Sequence, residues 1–270
     1  GRSERTARCV ALLRTTALAT DQPFFVRVHA AEALALRGYP EGLEEAFSAL
    51  QRASPDQFVG ATRVLARLHR ADAVRYRADV EALLAVFGGE GPFRSRLVAL
   101  ESLAKLGYAE PLPAIMREAQ EGCDGMMGMA RWVLANSGRA DDEARLADLL
   151  ASAEPLAYRY AAYALRFFSR VRPATYARLV ACADRLPADD PARVYGLSAR
   201  FVHAPAEDRE AAHEALVAYA DGTPGERYEV AEALGRAGDG ADLPRLERLL
   251  TDADADVRVA AANALLQRER

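Results

Sequence analysis

Asp254-Ala255-Asp256-Val257-Arg258-Val259-Ala260-Ala261-Ala262-Asn263-Ala264-Leu265 opens with two capping carboxylates and continues with apolar residues recurring at three and four. That is the period of an amphipathic helix with a polar start. Upstream, Asp242 to Leu250 reads as a shorter amphipathic helix, and Thr251-Asp252-Ala253-Asp254 as the turn joining the two. The pair is one unit of a repeat. Weaker copies of its second helix are Val26-Arg27-x-x-Ala30-Ala31-x-Ala33-Leu34 and Tyr228-Glu229-Val230-Ala231-x-Ala233-Leu234. The closing position, taken as an anchor, falls at Leu34, Leu65, Leu103, Leu134, Leu165, Arg200, Leu234 and Leu265, with spacings of 31, 38, 31, 31, 35, 34 and 31 residues. A period in the thirties means a stack in which each unit buries its apolar face against its neighbours. The expected fold is all-α: a right-handed α-α superhelix of about eight helix pairs, forming a single domain over 1–270.

Turn signals support the pairing. Asp21-Gln22-Pro23, Ser54-Pro55, Gly88 to Pro92, Gly122 to Gly125, Ala153 to Pro155, Asp189-Asp190-Pro191 and Asp221 to Gly225 each precede a predicted second helix. Four residues before the anchor stand Ala30, Ala61, Ala99, Ala130, Ala161, Gly196, Val230 and Ala261, a column small enough for close helix approach. Seven before it stand Arg27, Arg96, Arg193, Arg227 and Arg258, with Phe58, Met127 and Tyr158 in the other units. These arginines are expected to bridge to turn carboxylates, Arg258 to Asp252 or Asp254 for example.

The run from Asp254 to Leu265 resembles the HEAT-repeat family, in particular its short bacterial form, and is similar to the repeats of phycobilin lyases. The resemblance covers essentially the whole chain. It implies an α-solenoid whose second helices line a concave face, and it implies a binding scaffold, because HEAT-like proteins are mostly interaction modules with a few enzymes among them.

On that concave face the columns five and two before the anchor remain once the buried ones are assigned. They read His29 and Glu32, Gly60 and Arg63, Val98 and Glu101, Met129 and Trp132, Tyr160 and Tyr163, Tyr195 and Ser198, Glu229 and Glu232, Ala260 and Asn263. The middle is aromatic and the ends are polar. Met129, Trp132, Tyr160, Tyr163 and Tyr195, with Arg63, Glu101, Asn136 and Arg159 as polar neighbours, form the candidate binding surface. Two readings are open: a half-exposed groove for a peptide, partner helix or flat ligand, or rings packed on each other as a second core.

Composition narrows the functional classes. A formal net charge of −4, with 35 basic against 39 acidic residues, disfavours a nonspecific polyanion binder. A hydrophobic content of 51% with no long apolar run excludes disorder and a membrane span. The three cysteines, Cys9, Cys123 and Cys182, make neither a disulfide framework nor a zinc spacing, which points to a cytoplasmic protein. Lys105 is the sole lysine.

Enzymatic readings find little to stand on. His29, His69, His203 and His213 make no i, i+4 pair for a metal. HEAT-like iron-dependent hydroxylases use several His-Glu dipeptides, and only His213-Glu214 occurs here. HEAT-like DNA glycosylases present Trp, a carboxylate and basic residues, which Trp132, Glu101, Arg63 and Arg67 imitate, but Glu32, Glu229 and Glu232 oppose a phosphate backbone. A tetrapyrrole-like ligand in the aromatic groove is the alternative to a protein or peptide. Cys123 lies before a second helix but beside Asp124, which raises a thiol. The run Arg166 to Arg172, with Phe167 and Phe168 inside it, reads either as a basic-aromatic patch or as a helix end with cations suited to its dipole. No cofactor is expected. The last helix is as apolar as the internal ones, so Ala262 and Leu266 are expected to pack on a further unit or on a second copy, the chain being a piece of something longer or pairing through this end.

Overall fold

The computed structural model describes residues 2–108, 140–152 and 155–268, and every regular element among them is a helix. The α-helices are α1 (Arg2–Leu18), α2 (Phe24–Arg37), α3 (Leu43–Leu50), α4 (Pro55–Leu68), α5 (Ala73–Gly88), α6 (Phe93–Lys105), α7 (Ala140–Leu149), α8 (Pro155–Leu165), α9 (Pro173–Arg185), α10 (Arg193–His203), α11 (Arg209–Val217), α12 (Pro224–Ala237), α13 (Leu243–Leu249) and α14 (Ala255–Arg268). They are consecutive pairs, and each anchor in the described residues falls in a second helix, with all the leucine anchors buried. Among the described residues the protein is all-α and built of helix pairs. Its fourth expected pair, around Leu134, lies outside the described residues.

Local chemistry accounts for the helix starts. Pro23 and Pro92 cap α2 and α6, and Pro55 opens α4 with Ser54 Oγ accepting from Gln57 N–H at 3.4 Å. At α14, Asp254 Oδ1 accepts from the N–H groups of Asp256 at 2.9 Å and Val257 at 3.2 Å. With that carboxylate engaged at a helix N-terminus, the arginine column finds other partners. Arg27 Nε donates to Ala17 O at 3.1 Å, Arg96 Nε to Phe87 O at 2.7 Å, Arg193 Nη1 to Leu186 O at 3.1 Å, Arg227 to Gly222 O, and Arg258 Nη1 to Asp252 O at 2.6 Å. Backbone carbonyls, which the column of arginines was not expected to reach, are thus bound by all five of them. Arg27, Arg96 and Arg193 bind carbonyls where the first helix of their own pair ends, the negative end of that helix, and Arg227 and Arg258 bind carbonyls of the turn that follows it.

The chain divides into two compact units, 1–106 with 234–270, and 107–233. In the first unit α2 packs on α4 and α4 on α6, so the second helices stack on one another while the first helices flank them. The same unit joins the two ends of the chain. Helix α14 packs on α1 and α2, Arg5 Nε meets Glu247 Oε1 at 2.6 Å, and Arg37 Nη2 donates to Asn263 Oδ1 at 3.3 Å. Ala262 and Leu266, expected to face a further unit or a second copy, are therefore buried within this chain. The repeat is the reason: α1 and α2 offer the last pair the same apolar surface that an internal pair offers its neighbour.

In the second unit α8 packs on α7 and α10, and α10 packs on α9 and α11. Gly196 of α10 lies under Tyr158 of α8, where a methyl group would overlap the tyrosine hydroxyl. That hydroxyl is buried without a hydrogen-bond partner among the described residues, and burial pushes its pKa above the ordinary tyrosine value. Replacing Tyr158 with phenylalanine is expected to raise stability by about 1 kcal/mol, because an unsatisfied buried hydroxyl is removed at constant shape. A thermal melt checks it; a lower midpoint would show that the hydroxyl holds a partner.

Candidate functional site

The two columns expected to face solvent divide by unit. In the first unit they are largely buried and hold charge. Arg63, on α4, grips Glu32 of α2 with both arms of its fork, at 2.9 and 3.0 Å, and donates to Ser102 Oγ of α6 at 3.1 Å. Arg67 adds a third bond to Glu32 at 2.8 Å, and Lys105 pairs with Glu101 at 2.7 Å. Burial alone would raise the Glu32 carboxyl; the charges of Arg63, Arg67 and Lys105 outweigh it and hold the group far below the ordinary carboxylate range. Arg63 and Glu101 are therefore engaged within the chain. Stacked second helices bring these columns to 31 and 39 residue separations, where side chains of successive pairs meet.

The aromatic part lies in the second unit. On α8, Leu156, Arg159, Tyr160 and Tyr163 follow one another at helical spacing; Leu156 is 45% exposed, Arg159 is exposed and both tyrosines are half-buried. Tyr195 of α10 joins them through Arg159, whose guanidinium lies 4.5 Å from the ring centroid and donates to the hydroxyl. Burial, and then the nearby Glu229, raise the Tyr195 hydroxyl pKa. Tyr163 meets Phe167 edge-on at 5.0 Å, and Arg166 lies 4.9 Å over the Tyr163 ring. The Tyr195 ring is thus covered by Arg159, and those of Tyr163 and Phe167 by Arg166. Met129, Trp132 and Asn136 lie outside the described residues.

One residue outside the two columns matters here. Arg166, one position past an anchor, is buried and ion-paired with Glu229 of α12, and its Nη1 also donates to Ser198 Oγ of α10 at 3.2 Å. Burial opposes its charge, but Glu229 and Glu232 raise its pKa above the ordinary arginine value, while burial raises Glu229 from its ordinary value. The charge run from Arg166 to Arg172 carried the signal, although its first member proves to be interior.

The histidines lie at separate points. His29 approaches Asp256 at 3.4 Å, His69 Nδ1 meets Asp79 at 2.8 Å, His203 Nε2 bonds Leu165 O at 2.8 Å, and His213 packs on Phe201. Cys9 and Cys182 are buried, and Cys123 lies outside the described residues. No described helix is long and apolar enough to cross a membrane.

No family model matches the chain, and no curated protein matches it. Among solved structures, human deoxyhypusine hydroxylase in complex with glycerol aligns over 99% of this chain and 98% of its own, at 20% identity and a TM-score of 0.43. An engineered protein aligns over 96% and 95%, at 19% identity and a TM-score of 0.25. Likenesses this distant carry nothing about activity; the helix pairs themselves establish the all-α class.

Proposed function

We propose that this chain is a HEAT-like, non-enzymatic binding module that takes a protein or peptide segment on the aromatic surface of its second unit. The observation that supports it is the face of α8, where Leu156, Arg159, Tyr160 and Tyr163 lie together with Tyr195 beside them. Tyrosine and arginine are the residue types enriched at interface hot spots, since each offers a broad apolar face and a polar end. The Tyr163 and Tyr195 rings are held by Arg166 and Arg159 before any partner arrives, so little side-chain entropy is lost there on binding. Met129, Trp132 and Asn136 are proposed to extend the same surface. Against the alternative of a DNA glycosylase stands the engagement of Arg63, Arg67 and Glu101 by Glu32 and Lys105.

Affinity capture from the source organism's lysate tests this, comparing the wild-type protein with a Tyr160→Ala, Tyr195→Ala variant. Each truncation at a hot spot costs about 2 kcal/mol, so proteins retained by the wild type are expected to be lost from the variant column. Equal retention on both columns, with the helical circular dichroism unchanged, would remove this surface as the site.

A further inference from the structure

A cleft of about 670 Å³ opens in the second unit, away from the α8 face already described. One wall is the α8–α9 connection and the start of α9, with Val171 and Pro173; the other is the connection that follows α10, with Val202 and Pro205. Its volume is that of a small-molecule pocket, and its walls are mainly apolar. Tyr176, the fourth residue of α9, closes one side.

The same place in the first unit shows what is different here. Tyr76 is likewise the fourth residue of its helix, α5, and donates to Leu106 O at 3.1 Å beside a space of only about 150 Å³. The connection 166–172 between α8 and α9 is longer than the connection 69–72 between α4 and α5, and the cleft is correspondingly wider.

Its charges are unevenly satisfied. Asp208 is neutralised by the fork of Arg200, at 2.8 and 3.0 Å, and accepts from the Tyr176 hydroxyl. Burial and that carboxylate push Tyr176 up to about 12, so it stays protonated at neutral pH. Arg170 is different: it lines the cleft, is exposed, and has no ionic partner among the described residues. Glu207, on the opposite connection, is also exposed and unpaired among the described residues.

We infer that this cleft binds a small organic carboxylate with an apolar body, its carboxylate held by Arg170 and its body lying between Val171 and Pro173 on one side and Val202 and Pro205 on the other. A single carboxylate matches a single guanidinium in charge and in bidentate geometry. A dianionic phosphate meets about twice the repulsion from Glu207 that a monocarboxylate does, which disfavours it. The Arg166 to Arg172 run thereby divides into roles: Arg166 is structural, Arg172 pairs with Glu143, and Arg170 is the ligand-facing cation.

Calorimetric titration of the whole chain with 4-phenylbutyrate, 4-phenylbutylamine and 4-phenylbutanol tests the assignment. Saturable binding is expected for the carboxylate, with the alcohol and the amine about tenfold weaker or more. Arg170→Gln, at an exposed position, is expected to weaken the carboxylate by a similar factor with an unchanged thermal midpoint. Ala204→Phe, which fills the cleft from its wall, is expected to abolish binding. No saturable binding of 4-phenylbutyrate, equal binding by Arg170→Gln, full binding by Ala204→Phe, or a preference for the amine would each overturn the proposal. The outcome is independent of the α8 surface, because none of these variants touches it.

Discussion

Replacing Glu32 with alanine is expected to destabilise the first unit by about 3–5 kcal/mol, the cost of leaving a buried cation uncompensated. Arg63 is 3% exposed and loses both bonds of its fork, and Arg67 loses its shortest contact. The loss should depend on pH in a defined direction. The folded-state pKa of Glu32 lies below its ordinary value of 4.5, so its stabilisation is fully present above that value and is lost as pH falls toward the depressed one. Urea titrations of wild type and Glu32→Ala at pH 7 and at successively lower pH check this. The gap between them is expected to narrow below about pH 4.5. A gap that is small at pH 7, or that stays constant on acidification, would mean that the ion pairs are not what holds α2, α4 and α6 together.

Deleting α14, by ending the chain after Ala253, is expected to remove on the order of 5 kcal/mol or more from the same unit. Val257, Leu265 and Leu266 are buried, and each such side chain contributes roughly 1.5–3 kcal/mol when removed from water. The deletion also uncovers the surfaces of α1 and α2 that α14 covers, and repeat stacks derive most of their stability from such neighbour interfaces. Limited proteolysis should then cut within 1–50, and the melt should lose its cooperative transition in that unit. A truncated chain that melts as the full chain does would show that α1 and α2 are stable without α14. A finer version is Gly235→Val: a side chain there meets the backbone of Ala264, so α12 and α14 must move apart, with an expected loss of about 1–3 kcal/mol.

Helices, pairing and the buried columns were legible in the sequence because they depend on local chemistry. Asp254 caps α14 and Pro55 opens α4 wherever the rest of the chain goes, and a column of Ala30, Ala61 and Ala99 specifies close packing by size alone. The candidate site was legible only in part. Tyr160, Tyr163 and Tyr195 lie on neighbouring helices as the columns require, but Arg63 and Glu101, in columns of the same kind, are engaged by Glu32 and Lys105. Periodicity tells which residues share a face; it does not tell whether that face is open or filled by partners from the next pair.

What the sequence determines by itself is therefore the repeat, its period, its helix boundaries and the side chains that must be small or apolar, since each follows from contacts within a unit or with its nearest neighbour. Only the tertiary structure decides where the charges go and which faces are covered. Glu32 finds Arg63 and Arg67 across 31 and 35 residues, Arg166 finds Glu229 across 63, and α14 finds α1 from the other end of the chain. These outcomes depend on how the stack brings distant pairs together, and on the desolvation that makes a buried charge bind whichever opposite charge it meets.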